Sequence, residues 1–342
     1  LTKFYDDPIA FFKIYISKEK KAPRHTPYSL AGSVVHALMA GEEFFDQEFC
    51  LATGGKPGGQ MGTLCDNLVE IALETVMDGI QTRQFSDIFL ETVNKTKYNH
   101  ALEEIAFKGK SVEKILELFN EKDKNGVIPC SYYEEAIKNA DKTLITIQDV
   151  QNAEQVIEAL HNSFNTCDIV NRQSDADTTV INEMQLFFSY MDMEMRGMLD
   201  KVIIDRQTNT IQPYDYKITD TRSFDYNYLK MMYYVPAYIY YIGLQDWSNA
   251  NGYEDYDVLP MKYIVCDGIA RYKPIIYTLT IADLLSAKDG FITKNGKEYI
   301  GVDDLLTDFK WALDNNIWDM GRETYENRGV RKVNVGYSKR LR

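Results

Sequence analysis

Near residue 178 the spacing of apolar residues changes from the helical period of about 3.6 to the strand period of about 2. No other feature constrains the fold as much, because one hydrophobic face cannot serve both periodicities. Downstream, residues 178–191, 194–205 and 210–218 alternate as three strands, the last two joined by the polar turn Arg206-Gln207-Thr208-Asn209. An aromatic-rich helix is predicted over 223–244, then strands over 258–270 and 274–280, then one or two helices. Upstream the pattern is helical. The sum is an α/β (α+β) core, a mixed sheet flanked by helices, with a large helical insertion ahead of the sheet.

The upstream helices have recognisable starts and stops. Asp6-Asp7-Pro8 is a cap followed by proline, with Ile9, Phe12 and Ile16 at helical spacing. Thr26-Pro27 starts a second helix that carries His36 and stops at Gly41. The glycine-rich stretch 52–62 reads as a mobile loop, 63–120 as helical again, and 148–163 as a further helix after the turn Lys124-Asn125-Gly126. With 342 residues the chain reads as a single elaborated domain. Its parts are N-terminal helices (1–50), the insertion (51–177), the catalytic sheet and helix (178–280), and C-terminal helices with a basic tail (281–342).

Composition excludes several classes. At 45% hydrophobic and 26% charged residues, the chain is neither disordered nor collagen-like. The longest apolar run, 231–244, contains Pro236 and is too short to span a bilayer. With no basic and apolar leader pattern, a cytoplasmic location is expected. Five cysteines without a C-x-x-C pair read as reduced thiols. Four scattered histidines exclude a zinc finger and an H-E-x-x-H protease, so any metal must rest mainly on carboxylates. A net charge of −13 argues against non-specific coating of nucleic acid and, more weakly, against a nucleic-acid partner altogether. Locally, 322–342 holds seven basic residues against two acids, either a phosphate-holding tail or a solvated terminus.

The chemistry concentrates on two adjacent strands. Alternation puts Asp200 on the face of Met198, Val202 and Ile204, an apolar row where an unpaired carboxylate would cost several kcal/mol. The next strand supplies Asp215 and Lys217, two apart and therefore on one face, with roughly 6.5 to 7 Å between their Cα atoms. If the strands form a hairpin, Asp200 and Asp215 come close enough to share a divalent cation. Such a hard-oxygen site suits Mg2+ or Mn2+, with Lys217 placed to orient a water or meet a phosphate oxygen. Phosphodiester hydrolysis fits these parts. A buried Asp-Lys ion pair across the hairpin is the structural alternative.

These residues resemble the PD-(D/E)XK nucleases, specifically the RecE-like and RecB-like DNA exonucleases. Gly32-Ser33-Val34-Val35-His36 looks like their Gly-x-x-x-His helix, and Glu42-Glu43-Phe44-Phe45-Asp46 like its RecE-type continuation. Glu183 matches the strand glutamate, Gly197-Met198-Leu199-Asp200 the Gly-x-x-Asp motif, and Asp215-Tyr216-Lys217 the (Asp/Glu)-x-Lys motif. The order is correct, over about residues 4 to 245, with 37–182 fitting loosely. The resemblance implies a restriction-endonuclease-like core and a metal held by His36, Asp200, Asp215 and the main-chain carbonyl of Tyr216. It also implies Lys217 as catalytic lysine, with Glu183 aiding a second metal or a DNA end. Two departures stand out: Lys230 replaces the glutamine of the last motif, whose tyrosine is Tyr234, and Pro213 stands two residues before Asp215. Lys230 and Tyr234 are the expected nucleic-acid contacts.

The implied function is a Mg2+- or Mn2+-dependent exonuclease acting on linear duplex DNA ends in recombination or repair, of the kind phages encode and use in a host cytoplasm. A single-strand annealing protein and a homo-oligomeric ring are the implied partners. An inactive binding module and an endonuclease of the same fold are the alternatives. Most tyrosines of the 223–244 helix read as core, although one or two could stack bases. Lys56 lacks a Walker pattern, and the EF-hand-like start at Glu121 has Tyr132 at its twelfth position, so neither is a site.

Overall fold

A computed structural model describes residues 1–19, 27–74, 76, 77, 80, 81, 83–97 and 107–330. The chain divides into two units: a helical one, Pro23–Val170 with Cys266–Pro274, and a sheet unit, Leu1–Ala22, Asn171–Val265 and Ile275–Arg342. The helix with His36 thus belongs to the helical unit. The Thr26 start and most of the basic tail lie outside the described residues; within them, Arg322 pairs with Asp308 at 2.9 Å. No helix among the described residues is long and apolar enough to cross a membrane.

The helical unit contains α1 (Pro27–Ala40), α2 (Gly59–Glu74), α3 (Phe85–Lys97), α4 (Val112–Asn120), α5 (Pro129–Lys138) and α6 (Ile147–Asn162). Thr146 and Asp149 form a reciprocal cap at the start of α6. Leu64, Leu68, Ile88, Val93, Ile115 and Phe119 are fully buried in its core. The loop expected over 52–62 ends earlier, at Gly59, and Lys56 there pairs with Asp66 at 2.9 Å. A parallel pair, Phe49–Leu51 with Thr143–Ile145, was not foreseen. All five cysteines are free thiols; burial pushes Cys65 and Cys266 up to about 12, which leaves them inert.

In the sheet unit the strands are β1 (Thr178–Tyr190), β2 (Met193–Asp205), β3 (Thr210–Ile218), β4 (Asp257–Val258), β5 (Lys262–Cys266) and β6 (Ile275–Thr278). Their order is β6-β5-β3-β2-β1, with β4 parallel to β3, so the sheet is mixed and the class is α/β as expected. Met191 and Asp192 both have positive φ (52° and 58°), the geometry a tight hairpin turn needs. The 258–270 strand is instead two pieces, because Pro260 between β4 and β5 has no N–H for a ladder.

The helix expected over 223–244 is also broken, into α7 (Phe224–Lys230) and α8 (Tyr234–Ala250). Pro236 explains the break. In a continuous helix its ring would clash with the carbonyl four residues back, on Met232, and Met232 turns left-handed instead, at φ 52°. Pro236 then sits in the first turn of α8, where proline is tolerated. α8 packs on the β1/β2 hairpin, closely enough that a Cβ on Gly243 would meet Phe188 at 2.4 Å. α9 (Ile281–Asp289) and α10 (Val302–Asn315) follow. The N-terminal segment closes this core: Asp7 caps Pro8–Phe11 through Ala10 N–H at 2.9 Å, and Phe4 meets Phe309 and Trp318 edge-on at 5.3 and 6.1 Å.

Candidate active site

The β1/β2 register pairs Asn182 with Lys201 and Met184 with Leu199, so Glu183 stands level with Asp200. The β2/β3 ladder ends at Lys201 with Tyr214, which makes Asp200 and Asp215 the next level. Glu183, Asp200 and Asp215 therefore occupy one level of three adjacent strands. Carboxylate oxygens of Glu183 and Asp200 lie within 4.8 Å of each other.

The backbone is irregular at this level. Glu183 is left-handed, at φ 48°, a conformation that costs a non-glycine residue on the order of 1–3 kcal/mol. The inside-outside alternation changes phase here. On the hairpin side Met184, Leu186 and Leu199 are buried, and on the other side Val202 and Ile204, all in one core. Met198 is 50% exposed, so the expectation that Asp200 shares a face with Met198 as well as with Val202 and Ile204 is corrected on that point. Beyond the end of this ladder Tyr216 N–H donates to Asp200 Oδ2 at 2.6 Å.

Asp215 is buried and its Oδ2 meets the Lys217 ammonium. Burial alone would lower the Lys217 pKa, but the Asp215 and Asp200 charges overcome it and hold the group above its ordinary value. The ammonium also lies over two rings, 5.3 Å from the centre of Tyr233 and 5.8 Å from that of Tyr263. Tyr263 donates its hydroxyl to the Tyr233 carbonyl at 2.8 Å, which ties the two rings together. Burial first, then the neighbouring acids, pushes the Tyr216 phenol up, so it stays neutral.

Tyr240 of α8 was not singled out by sequence reasoning. Burial raises its pKa, and the Asp215 and Asp200 charges add to this while Lys217 opposes it. Gly197 is the reason it fits: a Cβ there would stand 2.4 Å from Tyr240 Cε1. The glycine of Gly-x-x-Asp was the available signal, since it marks a close approach to the strand.

No protein-family model matches the chain, and no curated protein matches it. A solved structure of a putative exonuclease from Eubacterium rectale is similar. It shares 9% identity at a TM-score of 0.34, covering 92% of this chain and 96% of that one.

The other expected site residues are His36, Tyr234 and Lys230. His36 is half-buried on α1 in the helical unit. Tyr234, expected to touch nucleic acid, is 1% exposed, and its hydroxyl donates to the Ile300 carbonyl at 3.1 Å. It is a core residue, placed there by the first turn of α8. Lys230 is exposed, with its ammonium 5.7 Å from the centre of the Tyr226 ring.

Chemically, the level of Glu183, Asp200 and Asp215 offers hard oxygen donors of the kind Mg2+ or Mn2+ prefers. Two carboxylates as close as Glu183 and Asp200 repel unless a positive charge or a proton stands between them. Glu183 and Asp200 fit a divalent cation, whereas Asp215, paired with Lys217, is not among the described residues whose donor atoms converge within 4.8 Å.

Proposed function

We propose that the chain is a metal-dependent nuclease of the PD-(D/E)XK type, and that its substrate is DNA. The observation that carries this reading is the alignment of Glu183, Asp200 and Asp215 on three adjacent strands with Lys217 paired to Asp215. A plain Asp-Lys ion pair needs only one carboxylate and gives no reason for the other two.

Glu183, Asp200 and Asp215 would hold the cation, and His36 joins them in this proposal on the Gly-x-x-x-His motif. A divalent ion of this kind, when bound, makes water more acidic and polarises a scissile phosphate. Lys217 stays protonated under the influence of Asp215 and Asp200, and it presents positive charge to the phosphoryl oxygens as they gain negative charge. Tyr233 and Tyr263 limit where that ammonium can go. Asp200 is oriented by Tyr216 N–H, so its other oxygen is fixed in direction. Action at linear duplex ends is part of the proposal and rests on the motif order.

The test is incubation of the chain with linear and closed-circular duplex DNA in Mg2+ or Mn2+. Release of nucleotides from the linear form is expected, abolished by Asp215→Asn and by Lys217→Ala. Undiminished digestion by both variants would refute the assignment, and digestion of circles at the same rate would select an endonuclease.

A further inference from the structure

The β1/β2 hairpin has a second face, turned away from α8, that the acidic level does not use. Leu186 and Phe188 point into the core, whereas their neighbours Gln185 and Phe187 point out, and Phe187 is 74% exposed. Across the ladder, Gln185 is paired with Met198 and Phe187 with Arg196. Met198 is 50% exposed, and Arg196 is exposed with no acidic partner among the described residues. Directly opposed residues of an antiparallel pair hold their Cβ atoms roughly 4.5–5.5 Å apart. A free aromatic face and a free guanidinium thus lie side by side.

We propose that this strip binds a single-stranded polynucleotide, with Phe187 stacking on a base and Arg196 holding a phosphate. Three observations select that ligand. A solvent-facing phenylalanine is sequence-tolerant toward bases, because every base has an aromatic face. Neither rung of the strip contains an acid and Arg196 supplies a cation there, while Glu194 one rung farther out and Glu183 and Asp200 at the other end confine a bound polyanion to these two rungs. The strip also begins near the candidate site along the strands, its first rung, Gln185 with Met198, lying two residues from Glu183 and from Asp200. The inference rests on the nuclease reading for its purpose, which is to lead one strand toward the acids. Its binding chemistry is independent of that reading.

The test is fluorescence anisotropy of a labelled single-stranded oligonucleotide with the full chain in a metal chelator, so that nothing is cleaved. Phe187→Ala should weaken binding by about fivefold or more, and Phe187→Tyr should retain it. Arg196→Ala should weaken binding to all sequences alike and reduce the salt dependence by about 0.7 in log-log slope. Both positions are exposed, so circular dichroism should be unchanged. Binding by both alanine variants within twofold of the parent would overturn the proposal. So would loss of self-association in Phe187→Ala without loss of oligonucleotide binding, which would make the strip a contact between copies. Turnover of bis(p-nitrophenyl) phosphate with Mn2+ separates the two readings. That ester is too small to span the strip, so its hydrolysis should be equal in parent and strip variants, and its absence in all of them would sink the nuclease reading alone.

Discussion

Replacing Gly197 by alanine tests whether the glycine of Gly-x-x-Asp exists to admit Tyr240. The added methyl would stand 2.4 Å from Cε1 and 2.9 Å from Cδ1 of that ring, against the 3.5–4.0 Å at which carbon atoms normally rest. Those atoms belong to a rigid ring, so the ring or the strand must move by about an ångström. Overpacking of this kind costs about 1–3 kcal/mol. All three tryptophans, Trp247, Trp311 and Trp318, lie in the sheet unit, so their fluorescence in urea follows that unit without interference from the helical one. With a urea slope of about 1–3 kcal/mol per molar, the midpoint should fall by roughly 1 M. In a Tyr240→Ala background the same change should cost almost nothing, or even stabilise, because alanine loses less chain entropy on folding than glycine. A coupling of about 1 kcal/mol or more between the two sites is the signature. An equal cost in both backgrounds would show that the ring is not what the glycine serves.

Two further outcomes follow from the acidic level. Asp200→Asn keeps an oxygen to accept Tyr216 N–H but removes a charge, and Glu183→Gln removes a second. Each should weaken Mn2+ binding, read by calorimetry, by more than the roughly tenfold expected of an outer-sphere change, and wild-type affinity in both would remove these residues from the metal site. The folded-state pKa of Lys217 lies above its ordinary value, so the stabilisation it brings is complete below the unfolded pKa of about 10.4 and is lost as pH rises through the folded one. The stability difference between parent and Lys217→Met should therefore be constant from pH 7 to 9 and shrink in stronger alkali; a difference that grows with pH would contradict the pairing with Asp215.

The strands and their acids were legible because alternation is a strong signal over long, half-buried segments. β1, β2 and β3 lie within a residue or so of their expected limits, and the pairing of Asp215 with Lys217 follows from their spacing on one strand. The change of phase at Glu183 was not legible, since a left-handed glutamate has no sequence marker as a glycine would. The break between α7 and α8 did leave a sign in Pro236, read only as a composition feature of an apolar run. The pair Phe49–Leu51 and Thr143–Ile145 is too short to carry a period, and its halves are far apart in the chain. Tyr234 misled because a motif position fixes a residue type and not the direction its ring faces once the helix is broken.

The contact of Phe4 with Phe309 and Trp318 has a consequence for how the protein is made. Ribosomal synthesis completes residues 23–170 before the first strand of the sheet emerges, while the opening aromatic segment waits for partners near the far end of the chain. A product truncated ahead of Val302 would leave Phe4, Phe11 and Phe12 without their seat. Such a fragment would keep every acidic residue of the candidate site and still lack the aromatic clasp that finishes the unit bearing them.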